Sequence, residues 1–360
     1  MRQTLILISA VILVSGCVSQ KKYKTQVAQY NELKANFDLT RASLFLAALY
    51  STQHRPEAQA EWTRATGLIQ DHGFEFLLEH ESSLVLPWIA ETLDSTDPVI
   101  ARSTASLFQS LLHVPPAPIT LQTLGGFSLQ IGSTVISKEN LRQRRAGELL
   151  VLLLTRPGYA LSSDQVTECM CPEKDPKAAL DFFHHATSAL RRLLEPDLPD
   201  RRFPCRYLEV DEERVWLLLP AGSTIDIQEF ETAVKQKNWQ KAVNLYAGEF
   251  LPTLRYAEWT IPIRQHLSDQ YESGLLTLAE TKLKQNDPAS CLDLSRQTLL
   301  HNPWQERAVE LGMRAAIQLG DRTAALQMYQ RLEKVLAKEL GIAPQKELQQ
   351  LYVAVKKRSL

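Results

Sequence analysis

The chain has 360 residues and a net charge of −1, from 40 Lys and Arg against 41 Asp and Glu. Hydrophobic residues make up 44% of it and charged residues 22%, which excludes a disordered chain and leaves room for two or three globular domains. The balanced charge also excludes a uniformly basic protein, so any binding of a polyanion must depend on local clusters of cations.

Residues 1–20 form an apolar leader. The run from Leu5 to Val14 is followed by Val14-Ser15-Gly16-Cys17, which resembles the lipobox of bacterial lipoproteins, where the cysteine is lipidated. This run is shorter than the roughly 20 residues of a spanning helix. Three interpretations stay open: a lipoprotein leader, a membrane tether, and an N-terminal helix or misplaced start. We favour the third, and contact with a membrane depends on this choice.

Residues 21–113 are predicted to be helical. The stretch from Leu39 to Phe74 pairs a helix rich in small residues with a second helix after Arg55-Pro56, as tetratricopeptide units do. The sequence VPPAP at residues 114–118 is a stiff linker that marks a domain boundary.

Residues 119–224 open with a predicted small sheet and two helices. Apolar and polar residues alternate around the Gly125-Gly126 break, as in short antiparallel strands. The apolar run Leu149 to Leu154 predicts a first helix. Ser162, with Gln165 three residues later, is a capping-box pattern that opens a second helix.

A third helix is predicted from Lys177 to Leu194, followed by a β-hairpin. The hairpin alternates apolar residues from Tyr207 to Leu217 around the polar tip Asp211 to Arg214. Asp181 is expected to cap or orient the third helix, or to accept a hydrogen bond from cytosine. The residues expected on the buried side of this helix are Phe183, Ala186, Thr187, Leu190 and Leu194.

Three helices and a hairpin in this order predict a winged helix, with the third helix in a DNA major groove and the hairpin against the neighbouring backbone. Residues 119–223 carry 13 Lys and Arg against 14 Asp and Glu, so contacts must come from local clusters. The candidate DNA-binding residues are Arg142, Arg144, Arg145, His184, Ser188, Arg191, Arg192, Arg201, Arg202, Arg206 and Arg214.

Residues 225–358 are predicted to form helical hairpins with a step of roughly 34 residues, typical of tetratricopeptide repeats. Asp287-Pro288 and Asn302-Pro303 are expected at helix starts, and Gly320 and Gly341 at helix ends.

Two parts of the chain resemble a known family. Residues 119–230 resemble the winged helix of OmpR/PhoB-type response regulators, a phosphorelay-type output domain found in antibiotic-regulatory proteins. The second domain resembles the bacterial transcriptional activator domain, through residues 245–260 and 299–344. Residues shared with that family in order and spacing include Tyr246, Gly248, Phe250, Trp259, Arg264, Asp321, Tyr329 and Pro344.

The sequence contains no phosphate-binding loop, nucleophile elbow, HExxH motif or dinucleotide fingerprint. Neither an enzyme nor a cofactor is therefore expected. Cys169, Cys171, His184 and His185 lack zinc-finger spacing, so no metal site is expected either.

These features predict a mostly α fold with a small β component, in which a winged helix is flanked by tetratricopeptide-like repeats. The resemblance implies a cytoplasmic transcriptional regulator, most often an activator, that binds double-stranded DNA. It further implies that the C-terminal helices contact RNA polymerase or a second protomer on direct repeats. The alternative is a helical-repeat scaffold for protein contacts, anchored to a membrane through Cys17.

Overall fold

The computed structural model describes residues 20–93, 95–196 and 204–357. It confirms a mostly helical fold with small sheets. Two compact units are present. The first combines the chain up to Ala117 with Arg144–Leu161 and His184–Pro220, and the second combines Pro118–Gln143, Ser162–Phe183 and the chain from Ala221 onward. Cys17, Arg201 and Arg202 lie outside the described residues.

The N-terminal part is helical, as predicted. Its core contains Trp62 and Trp88, whose ring centroids lie 5.6 Å apart, together with Leu44, Ile69 and Leu107. Within the described ranges, none of the helices combines the length and apolar character of a membrane span. The helices are α1 (Gln20–Thr52), α2 (Glu57–His72), α3 (Phe76–His80), α4 (Ser82–Thr92) and α5 (Pro98–His113).

The predicted leading sheet is present. Strand β1 (Ile119–Gln122) pairs antiparallel with β2 (Ser128–Ile131), with Leu121 opposite Leu129. Strand β3 (Thr134–Val135) extends the sheet from β2, and β7 (Thr224–Ile225) pairs parallel with β1. Because Ile119, Leu121 and Leu129 are all buried, one face of this sheet belongs to the core.

The first two predicted helices are confirmed. Helix α6 (Lys138–Arg142) precedes α7 (Ala146–Leu154), every residue of which is buried. Strand β4 (Ala160–Ser162) leads into α8 (Ser163–Met170). The predicted capping box is complete, because the Ser162 hydroxyl accepts from the Gln165 amide and the Gln165 side chain accepts from the Ser162 amide.

The third helix, α9 (Pro176–Leu194), begins one residue earlier than predicted. The expectation that Asp181 caps it is wrong. The carboxylate of Asp175 accepts the amide hydrogens of Lys177 and Ala178, both at 3.1 Å, whereas Asp181 is exposed in the second turn. Asp175 precedes Pro176, and proline at the first helical position is the usual companion of such a cap.

The hairpin follows α9 as predicted. Strands β5 (Leu208–Val210) and β6 (Arg214–Leu217) pair antiparallel, with Val210 opposite Val215, and form a three-stranded sheet in the order β4-β6-β5. The Asp211 carboxylate closes the turn by accepting the amide hydrogens of Glu213 (2.8 Å) and Arg214 (2.6 Å).

The described C-terminal part contains seven α-helices and two short 3-10 helices, Pro252–Leu254 and Glu258–Thr260. Asp287 caps α13 and Gly320 follows α14 with a positive φ, both as predicted. Asn302 is instead the residue that ends α13, and α14 is capped by Gln305, so the expected helix start at Asn302 is wrong. The helices are α10 (Asp226–Lys235), α11 (Trp239–Leu245), α12 (Ile261–Lys284), α13 (Pro288–His301), α14 (Glu306–Gln318), α15 (Arg322–Glu339) and α16 (Lys346–Lys357).

A close backbone contact explains the Gly125-Gly126 break. Gly125 has a φ of +77°, and a Cβ there would lie 2.6 Å from the carbonyl oxygen of Ala247. The Gly125 amide donates to the Glu249 carbonyl at 2.9 Å, and the Leu251 amide donates to the Thr123 carbonyl at 2.8 Å. The loop after β1 therefore lies directly on the loop after α11.

One carboxylate strengthens this contact. Asp226 accepts hydrogen bonds from the amides of Thr123 (2.6 Å) and Leu124 (2.7 Å) and from the Thr123 hydroxyl (2.7 Å). We call the contact of residues 123–125 with Asp226 and residues 247–251 the Gly125 joint. It fixes the leading sheet to the start of the C-terminal helices.

Candidate nucleic-acid interface

Helix α9 divides into a buried and an exposed side. Every residue that the sequence placed on the apolar side is buried: Phe183, Ala186, Thr187, Leu190 and Leu194. His184, His185 and Arg192 are exposed, and Ser188 and Arg191 are half-buried. Spacings of three and four residues from His184 to Ser188 and on to Arg191 and Arg192 place these side chains on one strip of the helix.

This strip is chemically suited to a nucleic acid. The hydroxyl of Ser188 and the imidazole of His184 can bond base edges, and guanidinium groups can bond phosphates or guanine. Both arginines lie in the last turn of α9, where the helix dipole favours a cation. The strip therefore offers hydrogen-bonding groups in its middle and positive charge at its end.

The wing is acidic at its tip. Arg214 is exposed, but so are Asp211, Glu212 and Glu213 directly before it. The Asp211 carboxylate also accepts hydrogen bonds from two amides of the turn. A tip of this composition repels phosphate, so Arg214 is the one wing residue among the candidates that can attract it.

The arginines before α7 differ in their surroundings. Arg142 is exposed at the end of α6 and belongs to the second unit, whereas the strip on α9 belongs to the first. Arg145 has a φ of +58°, and its Nε donates to the Glu148 carboxylate at 2.6 Å. The Glu148 side chain is buried and that of Arg145 is 40% exposed. The negative charge of Glu148 therefore offsets part of the positive charge that Arg145 could present to a phosphate. The side chain of Arg144 is not described.

Arg206 faces inward instead of toward a ligand, contrary to the sequence-based expectation. Its side chain is 9% exposed and makes ion pairs with Glu195 (Nε to Oε1, 2.8 Å) and Glu79 (Nη1 to Oε2, 2.7 Å). Burial opposes the charged guanidinium, yet the carboxylates of Glu195 and Glu79 raise the pKa of Arg206 above its ordinary value. Phosphate cannot reach a group enclosed in this way, so Arg206 is not part of the candidate interface.

Two groups next to Arg206, the Tyr207 hydroxyl and the Cys205 thiol, are affected by the same burial and the same carboxylates. The Tyr207 hydroxyl donates to the Ala117 carbonyl at 2.7 Å, and burial together with the Glu79 carboxylate raises the pKa of Tyr207. Burial and the carboxylate of Glu195 raise the pKa of the Cys205 thiol to about 12. Within the described ranges, no group of three or more His, Cys, Asp and Glu side chains is placed to hold a metal ion.

No local pattern in the sequence indicates the contact of Arg206 with Glu79, because more than a hundred residues separate them in the chain. The position of Glu195 does offer a local indication of a nearby cation. A carboxylate at the C-terminal end of a helix is unfavourable to the helix dipole, so its position after α9 required a cation nearby.

The fold and the exposed strip define a winged-helix protein with flanking helical repeats. Comparison with known families assigns its C-terminal part, since residues 225–356 match the bacterial transcriptional activator domain. Residues 225–356 are therefore similar to that domain, as the resemblance in the sequence implied.

Curated relatives include the regulatory protein AfsR of Streptomyces griseus, which is 26% identical over 229 residues. The AfsR of Streptomyces coelicolor is 28% identical over 224 residues. These matches cover 61% and 58% of this chain but only 23% and 21% of the relatives, so the chain corresponds to less than a quarter of their length.

A solved structure shares the fold. Mycobacterium tuberculosis EmbR, determined in complex with a low-affinity phosphopeptide, superposes with a TM-score of 0.52. The sequences are 21% identical, and the match covers 69% of this chain and 66% of that one.

Proposed function

We propose that the protein is a DNA-binding regulator of transcription that places α9 in a major groove. The observation that carries the proposal is the strip on α9: His184, Ser188, Arg191 and Arg192 lie on the side opposite the buried one. The family match of residues 225–356 supports it. Regulation of this kind requires no catalytic chemistry and takes place in the cytoplasm, where the DNA is.

The charges favour contact through the last turns of α9. Arg191 and Arg192 lie there, whereas Asp181 near the start and Glu212 and Glu213 at the wing tip oppose phosphate. DNA is therefore approached by the C-terminal half of the helix, with Arg214 meeting the adjacent backbone. Ser188 and His184 are then the side chains in position to bond base edges.

The C-terminal helices offer a surface for a protein partner. Leu300 is 86% exposed, Trp304 44%, Leu340 53% and Ile342 52%. The Trp304 indole donates to Glu339 at 3.1 Å, and the Gln345 amide donates to Glu306 at 2.7 Å, which brings the segments bearing these side chains together. We assign this apolar surface to contact with RNA polymerase or with a second protomer on a direct repeat.

A scaffold that binds proteins through both helical regions is the second candidate. The acidic wing tip favours it, because Asp211, Glu212 and Glu213 are all exposed where other winged helices approach the phosphate backbone.

Fluorescence anisotropy of the full chain with a selected duplex library separates the two functions. The regulator binds in a salt-dependent manner, and replacing Arg191 and Arg192 by alanine reduces the slope of log K against log salt by about 1 per lost phosphate contact. Arg296→Ala, at an exposed arginine of α13, is the matched control and leaves binding unchanged. Binding no tighter than that of an unrelated acidic protein contradicts the proposal and favours the scaffold.

A further inference from the structure

The buried ions around Arg206 connect three distant segments within one unit. Glu79 belongs to α3 of the N-terminal helices, Glu195 directly follows α9, and Arg206 precedes the wing. Their side chains are 21%, 4% and 9% exposed. Each ion therefore depends on the others, because an unpaired charge in such a place loses its hydration without compensation.

The linker takes part in the same contact. The Ala117 amide donates to Glu79 at 3.1 Å, Nη1 of Arg206 donates to the Val114 carbonyl at 3.4 Å, and the Tyr207 hydroxyl donates to the Ala117 carbonyl. The linker at residues 114–118, which the sequence predicts to be a stiff spacer, thus forms hydrogen bonds with Glu79 and also with Arg206 and Tyr207. We call Glu79, Glu195, Arg206, Tyr207 and residues 114–117 the Arg206 joint.

Both ends of the joint are firmly held. Leu77 and Leu78, just before Glu79, belong to the buried core of the N-terminal helices. On the other side, Arg206 is tied to the end of α9 twice, since both its backbone amide and its Nε donate to Glu195 at 2.8 Å. The joint therefore connects the core of the N-terminal helices to the end of α9 and to the base of the wing.

We infer that Arg206 is a positioning residue that couples the N-terminal helices to the elements proposed to face DNA, namely the last turns of α9 and the wing. A partner that displaces the N-terminal helices therefore also shifts the end of α9 and the wing. The effect on DNA rests on the proposed function, whereas the coupling itself does not.

Hydrogen exchange of the full chain in increasing urea, followed by mass spectrometry, tests the coupling without DNA. In the wild type, segments 76–92 and 205–217 lose protection at the same urea concentration. In Arg206→Met, segments 110–117 and 205–217 exchange at least tenfold faster at a urea concentration where segment 57–72 stays protected. Arg206→Lys, which keeps the charge, gives an intermediate rate.

Two further variants keep the test decisive if Arg206→Met fails to fold. Glu79→Gln leaves the pair of Arg206 with Glu195 intact, so it accelerates exchange in the linker more than in the hairpin. Arg41→Met is the matched control, because it removes the ion pair of Arg41 with Glu81, in which Arg41 is 45% exposed. Exchange within twofold of the wild type in Glu79→Gln, or equal acceleration in Arg41→Met, overturns the inference.

An anisotropy measurement with Glu79→Gln separates this inference from the proposed function. We expect its affinity for a selected duplex to change at least threefold, although Glu79 lies outside the candidate interface. Faster exchange with unchanged affinity refutes the influence of the N-terminal helices on DNA binding and leaves the proposed function standing. A wild type that binds no DNA refutes the proposed function and leaves the coupling to be judged by exchange alone.

Discussion

The Arg206 joint and the Gly125 joint each fix part of residues 118–225 to neighbouring helices, and they do so with different chemistry. At Arg206, one cation holds two carboxylates that come from distant segments. At Gly125, two stretches of backbone meet because the glycine has no side chain. Ion pairs depend on protonation and on exact partners, whereas close backbone packing depends on volume alone. The first joint is therefore sensitive to a change of charge at one partner, and the second to added volume.

The largest effect is expected when the Gly125 joint is overfilled. Gly125→Val places a branched side chain at a φ of +77° and its Cβ 2.6 Å from the Ala247 carbonyl oxygen. Backbone strain and overpacking together cost about 4 kcal/mol or more, so we expect a large fall in the free energy of unfolding. Urea denaturation of the full chain measures it. Gly126→Ala is the control, since a Cβ there meets nothing within 4 Å. Equal stability of the two variants would show that the contact is absent in solution.

The Arg206 joint should protect the Cys205 thiol from alkylation. Burial and Glu195 raise the pKa of Cys205 to about 12, and the thiolate is the reacting species. At pH 8 we expect iodoacetamide to label Cys205 at least a hundredfold more slowly in the native protein than in urea. Arg206→Met restores part of the rate. Peptide mass spectrometry assigns the site, and rapid native labelling would contradict the enclosed position.

The same thiol has a consequence for stability at high pH. Its pKa is raised in the folded state, so the folded protein holds the proton more tightly than the unfolded chain. The stabilisation is complete below the ordinary pKa of 9.0 and is lost as pH rises from there toward about 12. Cys205→Ser should flatten the decline of stability over this range.

A smaller loss is expected at the carboxylate of the Gly125 joint. Asp226→Asn replaces an acceptor of several hydrogen bonds by an amide whose nitrogen cannot accept, at a cost of about 2 kcal/mol. Asp211→Asn at the exposed wing tip, which also binds two amides, is the comparison and should lose less than about 1 kcal/mol. Thermal unfolding of both variants ranks them, and a reversed order would refute this account of the joint.

The smallest effect concerns the wing tip, which belongs to neither joint. Replacing Glu212 and Glu213 by lysine removes negative charge beside Arg214. We expect DNA affinity to rise about three- to tenfold at low salt and the gain to vanish at high salt, because exposed charges are screened. A gain that is independent of salt would mean that the tip touches bases directly.

Local patterns were sufficient to predict much of this fold. The capping box at Ser162, the hairpin after Tyr207 and the buried side of α9 all depend on residues within a few positions of one another. The cap of α9 was misassigned because Asp175 and Asp181 are both suitable caps, and the position of Pro176 decides between them.

The joints could not be predicted in this way. Arg206 looks like a phosphate ligand in the sequence, since it stands near two other arginines before the wing. Its partner Glu79 becomes visible only when the N-terminal helices lie beside the hairpin. The role of Gly125 similarly depends on Ala247, more than a hundred residues later. Contacts between distant segments leave no periodic signal in one sequence.

Hydrogen exchange of the full chain with and without a selected duplex is the most direct test of the central claim. We expect protection of residues 184–192 and, more weakly, of the segment around Arg214, with no change in residues 261–284 of α12. Tight binding of the duplex that leaves residues 184–192 unprotected would contradict the placement of α9 in the groove.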